Sequence, residues 1–100
     1  MTDTRGLDPL LDFTGKVVLI TGAAQGLGKL LAEELALRGA QLVLGDIKEE
    51  AVNDVANAIN SRNSKAIGLA CDVSRKSDCA AMVNACLLYT SDAADDLLLV

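Results

Sequence analysis

Lys16-Val17-Val18-Leu19-Ile20-Thr21-Gly22-Ala23-Ala24-Gln25-Gly26-Leu27-Gly28 is the stretch around which the rest of the chain is arranged. Val17 to Ile20 is a short apolar run rich in β-branched residues, bounded by Gly15 and Gly22. Such a run suits a strand buried on both faces. Gly22, Gly26 and Gly28 follow, and then a helical pattern through Arg38. Strand, glycine turn and helix is the setting in which a glycine motif binds phosphate. A turn this tight needs φ > 0, which glycine adopts without Cβ strain. A missing side chain also lets a diphosphate approach the main chain. The first helical amides have no intrahelical partner, so they and the helix dipole face the anion. Gly28 falls where the helix must pass close to the strand. The alternative is a glycine-rich turn that only lets helix pack on strand.

Outward from this stretch the chain alternates. The first helix spans about Leu27 to Arg38, with an apolar stripe of Leu27, Leu31 and Leu35 widened by Leu30 and Leu37. Gly39 ends it, with Arg38 at the negative end of the dipole. Gln41 to Gly45 is a second strand, ending at Asp46. A second helix from about Lys48 to Ser61 carries Glu49 and Glu50 in its first turn and a stripe of Val52, Val55 and Ile59. Lys65 to Cys71 is the third strand, with Ile67 and Leu69 on one face. Ser74 is a candidate N-cap for a third helix starting near Arg75. The fold class is therefore α/β, the βαβαβα first half of a doubly wound parallel sheet of Rossmann type, with strands side by side in the order 3-2-1. Met1 to Asp12 is a polar lead-in, and Leu10, Leu11 and Phe13 are expected to pack on the sheet edge.

Composition bounds the function. One hundred residues allow one modest domain. A 51% hydrophobic share with 2% aromatics implies a core of Ala, Val, Leu and Ile. A net charge of −5, with no basic block, argues against nucleic acid as a partner. Cys71, Cys79 and Cys86 form no C-x-x-C pair and come without histidine, so no metal site is expected. An odd cysteine count without a signal peptide points to reduced thiols and a cytoplasmic setting. No apolar run reaches transmembrane length, so no membrane partner is expected.

Asp46 follows Gly28 by 18 residues, about the distance at which an acid accepts hydrogen bonds from the adenosine ribose hydroxyls. Its charge would repel a 2′-phosphate, which favours NAD over NADP. Lys48 stands against this, since a lysine just past the strand can reach a phosphate. Asp46 can also cap the helix that starts near Lys48.

The spacing Gly22-x-x-x-Gly26-x-Gly28 departs from the G-x-G-x-x-G fingerprint. Thr21-Gly22-Ala23-Ala24-Gln25-Gly26-Leu27-Gly28 resembles the Thr-Gly-x-x-x-Gly-x-Gly motif of the short-chain dehydrogenase/reductase family at every fixed position. The resemblance covers about Asp12 to Ala85. It implies a dinucleotide cofactor and hydride transfer between a nicotinamide and a small alcohol or carbonyl substrate, in a parent protein that is a homo-oligomer. It implies that Gly22, Gly26, Leu27 and Gly28 hold the pyrophosphate, Asp46 the ribose, and Asp72 and Val73 the adenine. A turn acid ahead of a helix is the other reading of Asp72. Gln25 stands where NADP-binding relatives often carry a basic residue, which again favours NAD.

The family's Asn-Asn-Ala-Gly motif, its later serine and its Tyr-x-x-x-Lys pair are not in this sequence. Tyr89 is the only tyrosine, Ala93 stands four residues on, and no lysine follows Lys76, so no catalytic residue is assigned. The expected division is a lead-in over 1–12, a partial dinucleotide-binding domain over 13–85 and a non-native tail over 86–100. Cys86 to Asp95 breaks the amphipathic pattern begun at Ala80 to Ala85, and it resembles the translation of a transposon-end adapter used in sequencing libraries. On this reading the first strand keeps an open edge, and the chain binds cofactor weakly without turnover. Two other functions stay open: a nucleotide-binding fragment without catalysis, and half of an S-adenosylmethionine-dependent methyltransferase. A Walker A site is disfavoured, because Leu30 follows Gly28-Lys29 where a hydroxyl is required.

Overall fold

Val17 to Ile20 are all buried, because the strand they form is covered on both faces. The computed structural model describes residues 12–90 and 97–99. Within them the order is β1 (Val17–Thr21), α1 (Gly26–Leu37), β2 (Gln41–Asp46), α2 (Glu49–Asn60), β3 (Lys65–Ala70), α3 (Lys76–Thr90) and β4 (Leu97–Leu99). The sheet is parallel throughout and runs β3-β2-β1-β4. Val17 pairs with Gln41 on one side and with Leu97 on the other, and Gln41 pairs with Lys65.

Side chains alternate across a strand, so each strand feeds two cores. Val18, Ile20, Leu42 and Leu44 join Ala32 and Ala36 of α1 and Val52, Val55, Ala56 and Ile59 of α2. Val17, Leu19 and Val43 join Met82 and Cys86 of α3 on the opposite face. Gly45 admits α3 closely: a Cβ there would overlap the Sδ of Met82. Phe13 is partly buried against the first core, and its amide donates to the carbonyl of Arg38 at 2.9 Å. Leu10 and Leu11, expected beside it, lie outside the described residues.

Three expectations need correction. The stripe of α1 is turned away from its larger leucines: Leu27 is 71% exposed, Leu30 55% and Leu37 71%, while Ala32 and Ala36 are buried. Gly28, Ala32 and Ala36 recur every four residues and form the face toward the sheet. Small residues there let the helix come close, and leucines in their place would hold it off. Leu31 and Leu35 stay partly buried at the margin.

The third helix does not break after Ala85; it continues to Thr90. Met82 and Cys86, one turn apart and both buried, carry its stripe past that point. The edge of β1 is not open either, since Leu97–Leu99 pairs with it in parallel. That run of three leucines extends readily as a strand and finds the unpaired edge of β1.

Candidate functional site

The strand order changes direction at β1, which has β2 on one side and β4 on the other. In open α/β sheets the ligand crevice lies beyond the carboxyl ends of the strands at such a switch. A cleft of about 150 Å³ opens there, lined by Gly22, Asp46, Ile47, Cys71 and Val73. A larger hollow of about 240 Å³ lies at the other end of the sheet, among Thr14, Gly39, Gln41, Ser64 and Lys65. It faces strand starts, where no helix begins, so the smaller cleft is the better candidate.

The turn after β1 has the backbone its glycines imply. Gly22 has φ 64° and Gly26 φ 62°. A Cβ on Gly28 would lie on the carbonyl oxygen of Gly22, so only glycine lets α1 start this close to the strand. Gln25 is the residue before α1, extended at φ −160° and ψ 172°, and its side chain makes no capping bond. The helix-start amides at Gly26, Leu27 and Gly28 are thus left to a ligand or to water. The turn is stitched to the end of β2 as well: the Ala23 amide donates to the Gly45 carbonyl at 3.1 Å.

Asp46 receives two backbone donors. Its Oδ2 accepts from the Ala24 amide at 3.0 Å, and its Oδ1 from the Lys48 amide at 3.0 Å. Asp46 therefore closes the turn ahead of α2, although Lys48, not Asp46, is the residue at the N-cap. Burial by itself would raise the Asp46 carboxyl. The amides of Lys48 and Ala24, the Lys48 charge and the Ile47 amide outweigh it and hold the group below the usual carboxylate value of 3.8. A fixed anion thus stands at the rim of the cleft. The Lys48 ammonium donates to the Gln25 Oε1 at 3.3 Å, bridging from the start of α2 to the glycine turn.

Asp72 turns back on its own loop. Its Oδ1 accepts from the Ser74 hydroxyl at 2.6 Å and from the Ser74 amide at 2.9 Å. These two bonds, with Arg75 nearby, outweigh burial and lower the Asp72 carboxyl below 3.8. Ser74 therefore does not cap the third helix as expected. Its hydroxyl is donated to Asp72, and α3 begins later, at Lys76.

Gly22, Asp46 and Val73 thus meet in one cleft, while Gln25, Gly26, Leu27 and Gly28 belong to the turn and helix start that follow Gly22 and are not among its lining residues. Asp72 stands beside the cleft and is not among its lining residues. Three participants carry no signal in the sequence. The Ala24 amide orients Asp46, Ile47 is 69% exposed over the opening, and Cys71 lines the floor. Tyr89 lies among residues whose side chains fall outside the described part. Among the described residues no group of three or more His, Cys, Asp or Glu could hold a metal, and no helix is long and apolar enough to cross a membrane.

Residues 16–91 match the family described as short chain dehydrogenase. Over 68 residues the chain is 48% identical to "Short-chain dehydrogenase/reductase family 16C member 6" of Bos taurus, which covers 67% of this chain and 22% of that protein. Over 72 residues it is 44% identical to the "NAD-dependent glycerol dehydrogenase" of Listeria innocua, covering 72% of this chain and 27% of that one. Among solved structures, a short chain dehydrogenase/reductase from Burkholderia phymatum in complex with NAD superposes with a TM-score of 0.77 at 35% identity, over 80% of this chain and 28% of that one. The chain spans about a quarter of the length of these relatives. None of these matches favours a methyltransferase.

Proposed function

Because the chain belongs to the short chain dehydrogenase family, we propose that it is the dinucleotide-binding part of an oxidoreductase that passes a hydride between a nicotinamide and an alcohol or carbonyl carbon. One observation carries the reading: Asp46, held ionised by the Ala24 and Lys48 amides, stands at the rim of the same cleft as the bare Gly22 backbone. The residues present fit the cofactor. The glycine turn leaves room where any Cβ at Gly28 would collide, and the uncapped start of α1 offers amides to a diphosphate. When bound, the nicotinamide supplies the hydride donor or acceptor.

On this reading Gly22, Gly26, Leu27 and Gly28 hold the pyrophosphate. Asp46 accepts from the ribose hydroxyls and Val73 lies along the adenine. Asp72 holds the turn that carries Val73 through its Oδ1, which is bonded to Ser74, and its other oxygen is left to meet the adenine amino group. NAD is favoured over NADP: the Asp46 charge opposes a 2′-phosphate, and Gln25 stands where NADP-binding relatives often carry a basic residue. The parent enzyme's substrate is a small alcohol or carbonyl compound. A homo-oligomeric, cytoplasmic parent agrees with the family and with three free thiols.

The division at residue 85 remains part of the proposal, and it concerns the gene. If 86–100 derives from adapter DNA, resequencing the source locus will show other codons after Ala85; native codons for the tail would refute it. The binding reading is tested by titrating the chain with NADH and following nicotinamide fluorescence, with NADPH and S-adenosylmethionine as competitors. NADH is expected to bind, NADPH more weakly, and S-adenosylmethionine not to displace it. Binding of S-adenosylmethionine without NADH would overturn the reading.

A further inference from the structure

Cys71 directly follows β3 and Cys79 lies in the first turn of α3. Cys71 is buried and lines the cleft beside Val73. Cys79 is half-buried near the start of α3, and its thiol donates to the Val73 carbonyl at 3.5 Å. Cys79 is close enough to Cys71 to push the Cys71 thiol up. The turn is braced to keep them there. The Asp72 amide donates to Asp78 Oδ2 at 3.0 Å, which ties the neighbour of Cys71 to the neighbour of Cys79. The amides of Asp78 and Cys79 both reach the Arg75 carbonyl at 3.1 Å. Cys86 lies about two helical turns further along α3, in the core.

We propose that Cys71 and Cys79 are a redox pair that closes to a disulfide when the chain meets a peroxide. Cys79, the more exposed thiol, reacts first. Its sulfur attacks the peroxide, an S–O bond forms, the O–O bond breaks, and the departing hydroxide leaves as water with the thiol proton. The Cys71 sulfur then attacks the Cys79 sulfur. The S–S bond forms, the S–O bond breaks, and the second hydroxide leaves as water with the Cys71 proton. Two electrons pass from the thiols to the peroxide. Burial pushes the Cys71 thiol up, and Cys79, Asp78 and Asp72 add to the rise, so Cys71 suits the second step and not the first. Closing the sulfurs to about 2.05 Å requires Cys79 to rotate off the Val73 carbonyl. Oxidation therefore takes the thiol donor away from the Val73 carbonyl, beside the cleft.

This rests on the geometry of the turn and not on the dinucleotide reading, so a chain that fails to bind NADH leaves it intact. The test is hydrogen peroxide added to the full reduced chain, alkylation of free thiols, and tryptic mapping without reductant. Trypsin cuts after Arg75 and Lys76, so the bridge joins two separate peptides, and fragmentation of the second, 77–100, tells Cys79 from Cys86. The expected product is a monomer with the Cys71 and Cys79 peptides linked, returned to free thiols by dithiothreitol. With Cys79→Ser, Cys71 stays alkylatable through the same treatment. A free Cys71 beside an overoxidised or intermolecularly bridged Cys79, a link to Cys86, or oxidation of Cys71 in the Cys79→Ser chain would overturn the proposal.

Discussion

The carboxylate of Asp46 accepts the amide proton of Ala24 at 3.0 Å, which ties the end of β2 to the glycine turn after β1. Two segments far apart in sequence are fixed to each other at the mouth of the cleft. The bond sets which way the carboxylate faces before any ligand arrives, and such preorganisation lowers the ordering cost of binding.

Replacing Asp46 with asparagine keeps the side chain's shape and an oxygen acceptor but removes the charge. Hydrogen bonds to a charged group contribute about 1.5–3 kcal/mol. NADH affinity is expected to fall by about tenfold or more, with NADPH affected less, so that the preference narrows or reverses. Paired titrations with the two reduced cofactors measure this. An unchanged ratio would remove Asp46 from cofactor choice.

Gly28→Ala tests the close approach of α1 to β1. The new Cβ meets the Gly22 carbonyl, which is backbone and has nowhere to turn. Destabilisation of about 1–3 kcal/mol or more is expected, together with loss of NADH binding. A thermal midpoint lowered by roughly 4–8 °C per kcal/mol is the readout. Gly45→Ala should cost less, because its obstacle is the flexible end of Met82. Shortening Met82 to valine in the same chain should cost less than the sum of the two single changes.

Asn60 guards the outer edge of β3. Its Oδ1 accepts from the Ala66 amide at 2.7 Å, and its Nδ2 donates to the Ala66 carbonyl at 2.9 Å. Ala66 is 3% exposed, so neither group finds ready replacement in water. Asn60→Ala should destabilise by about 2 kcal/mol, since each orphaned buried group costs about 1–3 kcal/mol. It should also raise the tendency to aggregate through that edge. Urea unfolding and light scattering check the two effects.

Acid should weaken the fold through Asp46 and Asp72. Both carboxyls are held below 3.8, the value near which they titrate in the unfolded chain. The folded state therefore binds fewer protons, and the associated stability is whole above that value and lost as pH falls through the lowered ones. The urea midpoint is expected to change little on their account above about pH 5 and to drop below about pH 4. Asp46→Asn and Asp72→Asn together should flatten that drop; an undiminished slope would place the effect in other acids.

The hundred-residue chain is expected to bind NADH weakly and to leave alcohols unoxidised, since no lysine follows Tyr89 at the family's spacing. Incubation with NAD and a panel of small alcohols, read as NADH absorbance, tests this. Sustained NADH formation would require a catalytic group other than the tyrosine and lysine pair.

Strand runs, helix stripes and the glycine spacing are local patterns, and the alternation from β1 to α3 could be read from them residue by residue. So could the meeting of Gly22 and Asp46, because parallel strands bring their carboxyl ends to one side of the sheet. The face of α1 is not legible in the same way, because hydrophobicity alone ranks Leu30 above Ala32. Closeness of approach selects the smaller residue, and only the Gly22–Gly28 contact shows how close the helix comes. The continuation of α3 through Cys86 is hidden for a similar reason: one buried position a turn beyond Met82 is too weak a signal to extend a stripe.

The sequence by itself determined the order of elements, the glycine turn and the family, because each rests on neighbours along the chain and on the intrinsic backbone freedom of glycine. Tertiary structure alone decided the rest. It put the Ala24 amide on Asp46, drew Lys48 across to Gln25, folded Asp72 back onto Ser74 and paired Leu97–Leu99 with β1. Most of these contacts join residues distant in sequence, and even the short one between Asp72 and Ser74 was only one of two turn geometries open to the same residues. Their geometry is set by how closely helices seat on the sheet, and no local pattern encodes that distance.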